Sequence, residues 1–312
     1  MTPRQTAFDS GGLRCAATLY LPETHPDAPE PPVIVMAHGL GAIRDMGLAA
    51  YAERFTAAGY ACLVFDYRHF GDSQGHPRHL LSPAKQLQDW AAALDHARWL
   101  EGVDGDRIIA WGTSFAGGHV ITTAADHPRG LVAAIAQSPF TDGVASALAL
   151  HPLSTAKVMA AAVRDLVRSG LGKDPYMVAT AGPPRGAALM TAPDAEPGYL
   201  GLVPPDSDFR NEVAARAAFA VLGYRPGRHT GRIRIPVLFA ICAPDSVAPA
   251  VPTRRFAARA PRGEVAVYTD GHFDIYAGDG FERVVTDQLD FLRRHVPVTP
   301  KGASSTDSPA GT

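Results

Sequence analysis

Two kinds of hydrophobic segment take turns along the chain. One kind is a short apolar run without a polar face. Examples are residues 33–37 (Val-Ile-Val-Met-Ala), 60–65, 107–111, 131–136, 235–241 and 264–268. Runs of that length suit strands, and the wholly apolar run 33–37 suits one buried on both sides of a sheet. The other kind is longer, with apolar residues returning every three or four positions. Residues 48–58, 85–100, Phe115–Ala125, 253–260 and 281–295 read as helices on this pattern. Residues 14–21 add an early strand. Repeated strand–helix units need right-handed crossovers, so the expected class is α/β, with a mostly parallel sheet covered by helices on both faces.

One section breaks the alternation. Residues 144–230 contain no clear strand, two helical stretches (154–167 and 212–222) and a Pro/Gly-rich middle at 181–205. The expectation is a helical cap over 144–230, inserted between core segments 1–143 and 231–296. A long disordered insertion is the alternative. Residues 22–32 carry five prolines and read as a surface loop. Residues 297–312, rich in Pro, Ser, Thr and Gly, read as a disordered tail. No internal repeat is present.

Charge narrows the partners. Lys plus Arg number 29 against 31 Asp plus Glu, a formal net charge of −2, and the basic residues are scattered. A nucleic acid or anionic membrane surface calls for a basic face, so neither is expected. No run approaches the apolar length of a membrane span. The segment 1–6 lacks the pattern of a secretory signal, so the expected location is cytoplasmic. Cys15, Cys62 and Cys242 are far apart and lie inside strand-like runs, which suits small buried thiols in a reducing compartment rather than disulfides or a metal. A homo-oligomer is compatible with the sequence.

The chemistry concentrates around Ser114. An apolar strand runs through Gly112-Thr113-Ser114-Phe115-Ala116 directly into a helix. A serine at such a turn is held with its hydroxyl above the sheet edge, provided small residues flank it two positions away. Gly112 fills the first place. Ala116 stands where the strict pattern has glycine. Serine is a weak nucleophile by itself. It needs a base to take its proton and an acid to orient that base. In this architecture the acid follows the serine in the chain and the histidine comes last. His272, just after the final strand in Asp270-Gly271-His272-Phe273-Asp274, has that order and position. Asp245, after the strand at 235–241, is the expected acid, with Asp142 as its rival. His119 is expected to point away and pack or meet solvent, while His79 and the other loop histidines show no paired acid.

Acyl transfer builds negative charge on a carbonyl oxygen, which backbone N–H groups stabilise by about 3 kcal/mol each. The expected donors are Phe115, after the nucleophile, and Leu40, in the loop His38-Gly39-Leu40-Gly41 that follows the strand at 33–37. The charges of Asp66-Tyr67-Arg68-His69-Phe70-Gly71-Asp72-Ser73 are expected to brace nearby loops by Asp–Arg pairing.

These motifs together resemble the α/β-hydrolase superfamily. The chain is similar to its X-prolyl dipeptidyl-peptidase and dienelactone-hydrolase branches, and to hydrolases of natural-product pathways. The resemblance covers residues from about 10 to 296 and implies catalytic Ser114, Asp245 and His272, backbone donors Leu40 and Phe115, and no cofactor. It implies cleavage of a carboxylic ester, lactone or thioester through an acyl-serine. A transferase or cyclase using the same residues is the alternative, and a non-catalytic binding protein the remote one. The partner is a small-molecule acyl substrate. Val158, Met159, Tyr176, Met177 and Tyr199 would suit an apolar acyl group or the core of the cap.

Overall fold

The computed structural model describes residues 3–23 and 28–298. Much of the expected disordered tail, 299–312, and residues 24–27 of the expected proline-rich loop lie outside the described residues. The start of that tail is packed: the Pro297 carbonyl accepts from Arg107 and Val298 lies against Gly59.

Eight strands form the main sheet. They are β1 (Arg4–Ser10), β2 (Leu13–Tyr20), β3 (Pro32–Ala37), β4 (Ala61–Phe65), β5 (Asp104–Thr113), β6 (Leu131–Gln137) and, after an insertion, β10 (Val237–Cys242) and β11 (Gly263–Tyr268). Their order is β1-β2-β4-β3-β5-β6-β10-β11. β2 runs antiparallel to β1 and β4, and every other pairing is parallel. The six residues of β3 and the five of β4 are all buried, as their unbroken apolar runs require. Cys15, Cys62 and Cys242 are buried within these strands with free thiols.

Helices cover both faces. α1 (Leu48–Ala57) and α9 (Gly278–His295) pack on one side, where Tyr51, Phe55, Phe281 and Leu289 meet Trp111 and Ile109. α2 (Pro83–Arg98), α3 (Phe115–Ala125) and α8 (Ala250–Ala257) pack on the other, where Trp90, Val120 and Ala257 meet Val35 and Phe239. Each fully buried large side chain contributes about 1.5–3 kcal/mol. Trp111 also needs a partner for its indole N–H, and finds it in the side chain of Gln288 on α9 at 2.9 Å. The mostly parallel, doubly covered sheet is the expected one. No helix among the described residues is long and apolar enough to cross a membrane.

The insertion departs from expectation in one respect. It is helical in α4 (Gly143–Ala149), α5 (Pro152–Gly170), α6 (Ala195–Leu200) and α7 (Ala217–Gly223), but it also contains β7 (Met177–Ala181), β8 (Ala188–Met190) and β9 (Val213–Ala214). These form a small sheet of order β8-β7-β9. The helix expected over 212–222 therefore begins only at Ala217, after a two-residue strand. A 3-10 turn, Pro226–Arg232, leads back to the core. The neck is tied: the Gly143 N–H donates to the Tyr224 carbonyl at 2.9 Å, and both Nε and Nη2 of Arg225 donate to Asp142 Oδ2.

Candidate active site

Ser114 stands between the end of β5 and the start of α3 with φ +58° and ψ −118°. A side chain held in that region is strained, and the surrounding backbone must impose it. Two bonds do so: the Ser114 N–H donates to the Gln137 carbonyl and the Phe140 N–H to the Ser114 carbonyl, both at 2.8 Å. Gly112 is obligatory, since a Cβ there would lie 2.4 Å from the Ala116 carbonyl oxygen. Ala116 itself is accommodated, fully buried. The tight approach expected at position 116 falls instead at Gly117 and Gly118, whose Cβ atoms would sit 2.9 Å from Pro139 and 2.5 Å from the Phe140 carbonyl.

His272 follows β11 and is buried. Its Nε2 lies 3.0 Å from Ser114 Oγ, and its Nδ1 lies 2.7 Å from Asp245 Oδ2. Asp245 follows β10. Its other oxygen accepts from the N–H groups of Val247 and Ala248 at 2.8 and 2.6 Å, which fixes the carboxylate. The ring accordingly donates from Nδ1 and presents its Nε2 lone pair to the serine hydroxyl. The three predicted side chains are thus joined in one hydrogen-bonded chain at the carboxyl ends of the strands. Asp142 is elsewhere employed. It caps α4 by accepting from Val144 and Ala145, and it pairs with Arg225. Burial raises its pKa, but these donors outweigh that and hold it below the ordinary carboxylate value.

The loop after β3 passes against the serine. A Cβ on Gly39 would lie 3.0 Å from Ser114 Cβ and 3.3 Å from its Oγ. His38, buried, has Nδ1 3.0 Å from the Gly39 carbonyl oxygen. A carbonyl only accepts, so Nδ1 carries the proton. In a trans peptide C=O and N–H point opposite ways, so that bond fixes the direction of the Leu40 N–H as well. Tyr199 from α6 donates to the Leu40 carbonyl at 3.0 Å, tying the insertion to this loop. Burial drives the His38 pKa down to about 4, so the ring is neutral. Sequence reasoning gave His38 no such part. Its signal was its place directly before the glycine loop.

Of the two outcomes expected for His119 it takes the packed one: it is fully buried, with Nδ1 2.8 Å from Tyr224 Oη and Nε2 3.0 Å from Gln86 Oε1. His79 has an acid after all, Glu212 at 3.2 Å. The loop charges do pair, though not within their own motif. Asp66 and Asp72 both take Arg44, while Arg68 takes Asp89 at 2.6 Å.

Beside the serine lies an apolar cavity of about 140 Å³. Leu40 and Phe115 line it, together with residues of α4, α5, α7 and 188–192, and with Ser246 and Val247, which follow Asp245 in the chain. Of the apolar residues singled out in the insertion, Val158 and Met159 line it, whereas Tyr176, Met177 and Tyr199 do not. The residues from 188 to 192 carried no legible signal. Among the described residues, no group of three or more His, Cys, Asp or Glu is placed to hold a metal ion.

Comparison with known proteins bears on the family and the fold. The family described as serine aminopeptidase S33 (Hydrolase_4) matches residues 28–276. The quorum-quenching protein AidA of Acinetobacter baumannii is 53% identical over 296 residues, covering 95% of this chain and 96% of that protein. A polyketide transferase from Aspergillus fumigatus is 29% identical over 277 residues, covering 85% and 90%. Among solved structures, the α/β-hydrolase GrgF from Penicillium sp. sh18 superposes with a TM-score of 0.79 at 22% identity, covering 95% of this chain and 99% of that one.

Proposed function

Since the chain belongs to the serine aminopeptidase S33 family of α/β-hydrolases, we propose that it cleaves a carboxylic ester, lactone or thioester through an acyl intermediate on Ser114. The observation that carries this reading is the hydrogen-bonded chain from Ser114 through His272 to Asp245. His272 Nε2 takes the hydroxyl proton as Oγ attacks the carbonyl carbon. The same proton then goes to the leaving alcohol, lactone oxygen or thiol. Asp245 holds the ring in the required tautomer and steadies the imidazolium. The Leu40 and Phe115 N–H groups receive the developing oxyanion. Water, activated by His272, releases the acid. The insertion serves as a cap whose apolar cavity takes the acyl group.

The 53% identical relative is named for quorum quenching, which supports including quorum-sensing signals among the compounds to test. The polyketide transferase relative supports a second reading, in which an alcohol or amine replaces water as the acceptor. A panel of 4-nitrophenyl esters, lactones and acyl thioesters, assayed with and without added alcohols, separates the two. Hydrolysis lost in Ser114→Ala supports the first. Transfer to the added alcohol outrunning hydrolysis supports the second. Turnover surviving Ser114→Ala contradicts both.

A further inference from the structure

We infer that the acyl group entering the cavity carries a neutral hydrogen-bond acceptor, an oxo or amide carbonyl, which Ser146 and Thr191 read. The inference rests on the acyl-serine reading above and adds the class of acyl chain.

The cavity walls are almost wholly apolar, and none of the lining residues is charged. Four hydroxyl-bearing residues break that pattern, Ser146, Thr155, Thr191 and Ser246, and two of them are buried and unpaired. Ser146 Oγ and Thr191 Oγ1 are both buried, both belong to residues lining this cavity, and neither has a hydrogen-bond partner among the described residues. Leaving a buried hydroxyl unpaired costs about 1–3 kcal/mol. Nothing in the packing asks for that cost, because valine has the shape of threonine and alanine nearly that of serine.

Placement argues that the hydroxyls face the ligand. From α4 and the residue that ends it the cavity takes Gly143, Ser146, Ala147 and Leu150. That is the i, i+3, i+4, i+7 spacing of one helix face, so Ser146 belongs to the face turned to the cavity. Thr191 follows β8, is 6% exposed, and sits in the run 188–192, every residue of which lines the cavity. Of the other two, Thr155 is not among the buried unpaired hydroxyls, and Ser246 is already engaged, with Asp194 as acceptor at 2.9 Å. Neither therefore makes such a demand.

The chemistry of the missing partner follows. A hydroxyl donates one hydrogen, and a carbonyl oxygen carries two lone pairs to receive it. Burial among apolar side chains with no counter-charge disfavours an ionic group, which a neutral carbonyl avoids. Apolar walls with a few placed polar groups are how small-molecule sites combine affinity with selectivity.

The test compares 4-nitrophenyl octanoate with its monooxo isomers, the carbonyl placed at successive carbons beyond the ester. In the native protein at least one isomer should exceed octanoate in kcat/KM by about tenfold or more. In Thr191→Val, Ser146→Ala and the double variant, that ratio should fall toward one. A merely structural role for the two residues would change both esters alike and leave the ratio standing. A native protein that hydrolyses octanoate yet prefers no oxo isomer overturns the inference and leaves the acyl-serine reading intact. A preference that persists in the double variant overturns it too. Hydrolysis of none of these esters contradicts both readings.

Discussion

Asp142 and Arg225 are locked together across the neck of the insertion, with two guanidinium nitrogens on one carboxylate oxygen at 2.8 and 2.6 Å. The pair joins the residue where the chain leaves the core to one where it returns. It also occupies the carboxylate that order along the chain makes the rival of Asp245. The two acids are therefore expected to fail in different ways. Asp245→Asn should lower kcat for a nitrophenyl ester by about 10⁴-fold, since the ring loses its tautomer. Asp142→Asn keeps a good helix cap and loses the ion pair, so kcat should stay within about twofold while stability drops by about 1 kcal/mol or less. Steady-state kinetics beside thermal melts check both. Loss of activity only in Asp142→Asn would move the acid.

Gly39 leaves little room for a side chain. A Cβ there meets Ser114 Cβ at 3.0 Å, and the serine is anchored by its own backbone bonds. Gly39→Ala should displace the hydroxyl from His272 and turn the Leu40 N–H. The serine would have to give by a few tenths of an ångström, and a full shift of about 1 Å in a reacting group costs on the order of 100-fold in rate. The expected result is a folded protein with kcat lowered, by less than that factor. Circular dichroism alongside the kinetics decides it, and near-native kcat would contradict the close approach.

Acid should weaken the fold through two buried histidines. Burial lowers His38 from 6.5 to about 4 and His119 from 6.5 to about 3. Both folded values lie below the unfolded one, so the unfolded chain binds protons first. Stability that rests on the neutral rings is complete above pH 6.5 and drains as pH falls toward the folded values. Each ring contributes a slope of about 1.4 kcal/mol per pH unit in that window. Glutamine at 119 can still meet Tyr224 and Gln86 without titrating. His119→Gln should therefore flatten the dependence of urea stability on pH between roughly pH 6 and 4.5 by nearly one such slope. Equal slopes in the two proteins would contradict it.

β3, β4 and β10 were legible because burial on both faces leaves an unmistakable apolar run, and the flanking helices because apolar residues return every three or four positions. β1 was not. Its sequence, RQTAFDS, alternates weakly, and it is held as an edge strand by backbone pairing with β2. β7, β8 and β9 hide for another reason: five, three and two residues long, they are too short to show a period and lie in a Pro/Gly-rich stretch. At the site, Ser114, Asp245 and His272 could be read from their order after successive strands. The part played by His38 could not, because it depends on which peptide the ring meets. The cavity was legible only through Val158 and Met159. Which faces of α4, α5 and α7 converge is set by packing between elements far apart in sequence.

The most direct measurement is the intact mass of the folded protein after treatment with a fluorophosphonate. The native chain should gain one adduct, localised to Ser114 by peptide mapping. Ser114→Ala should gain none, and His272→Ala should label more slowly by about 100-fold or more, as expected when a general base is removed. A native protein that stays unlabelled while folded, or an adduct that persists in Ser114→Ala, would contradict Ser114 as the nucleophile.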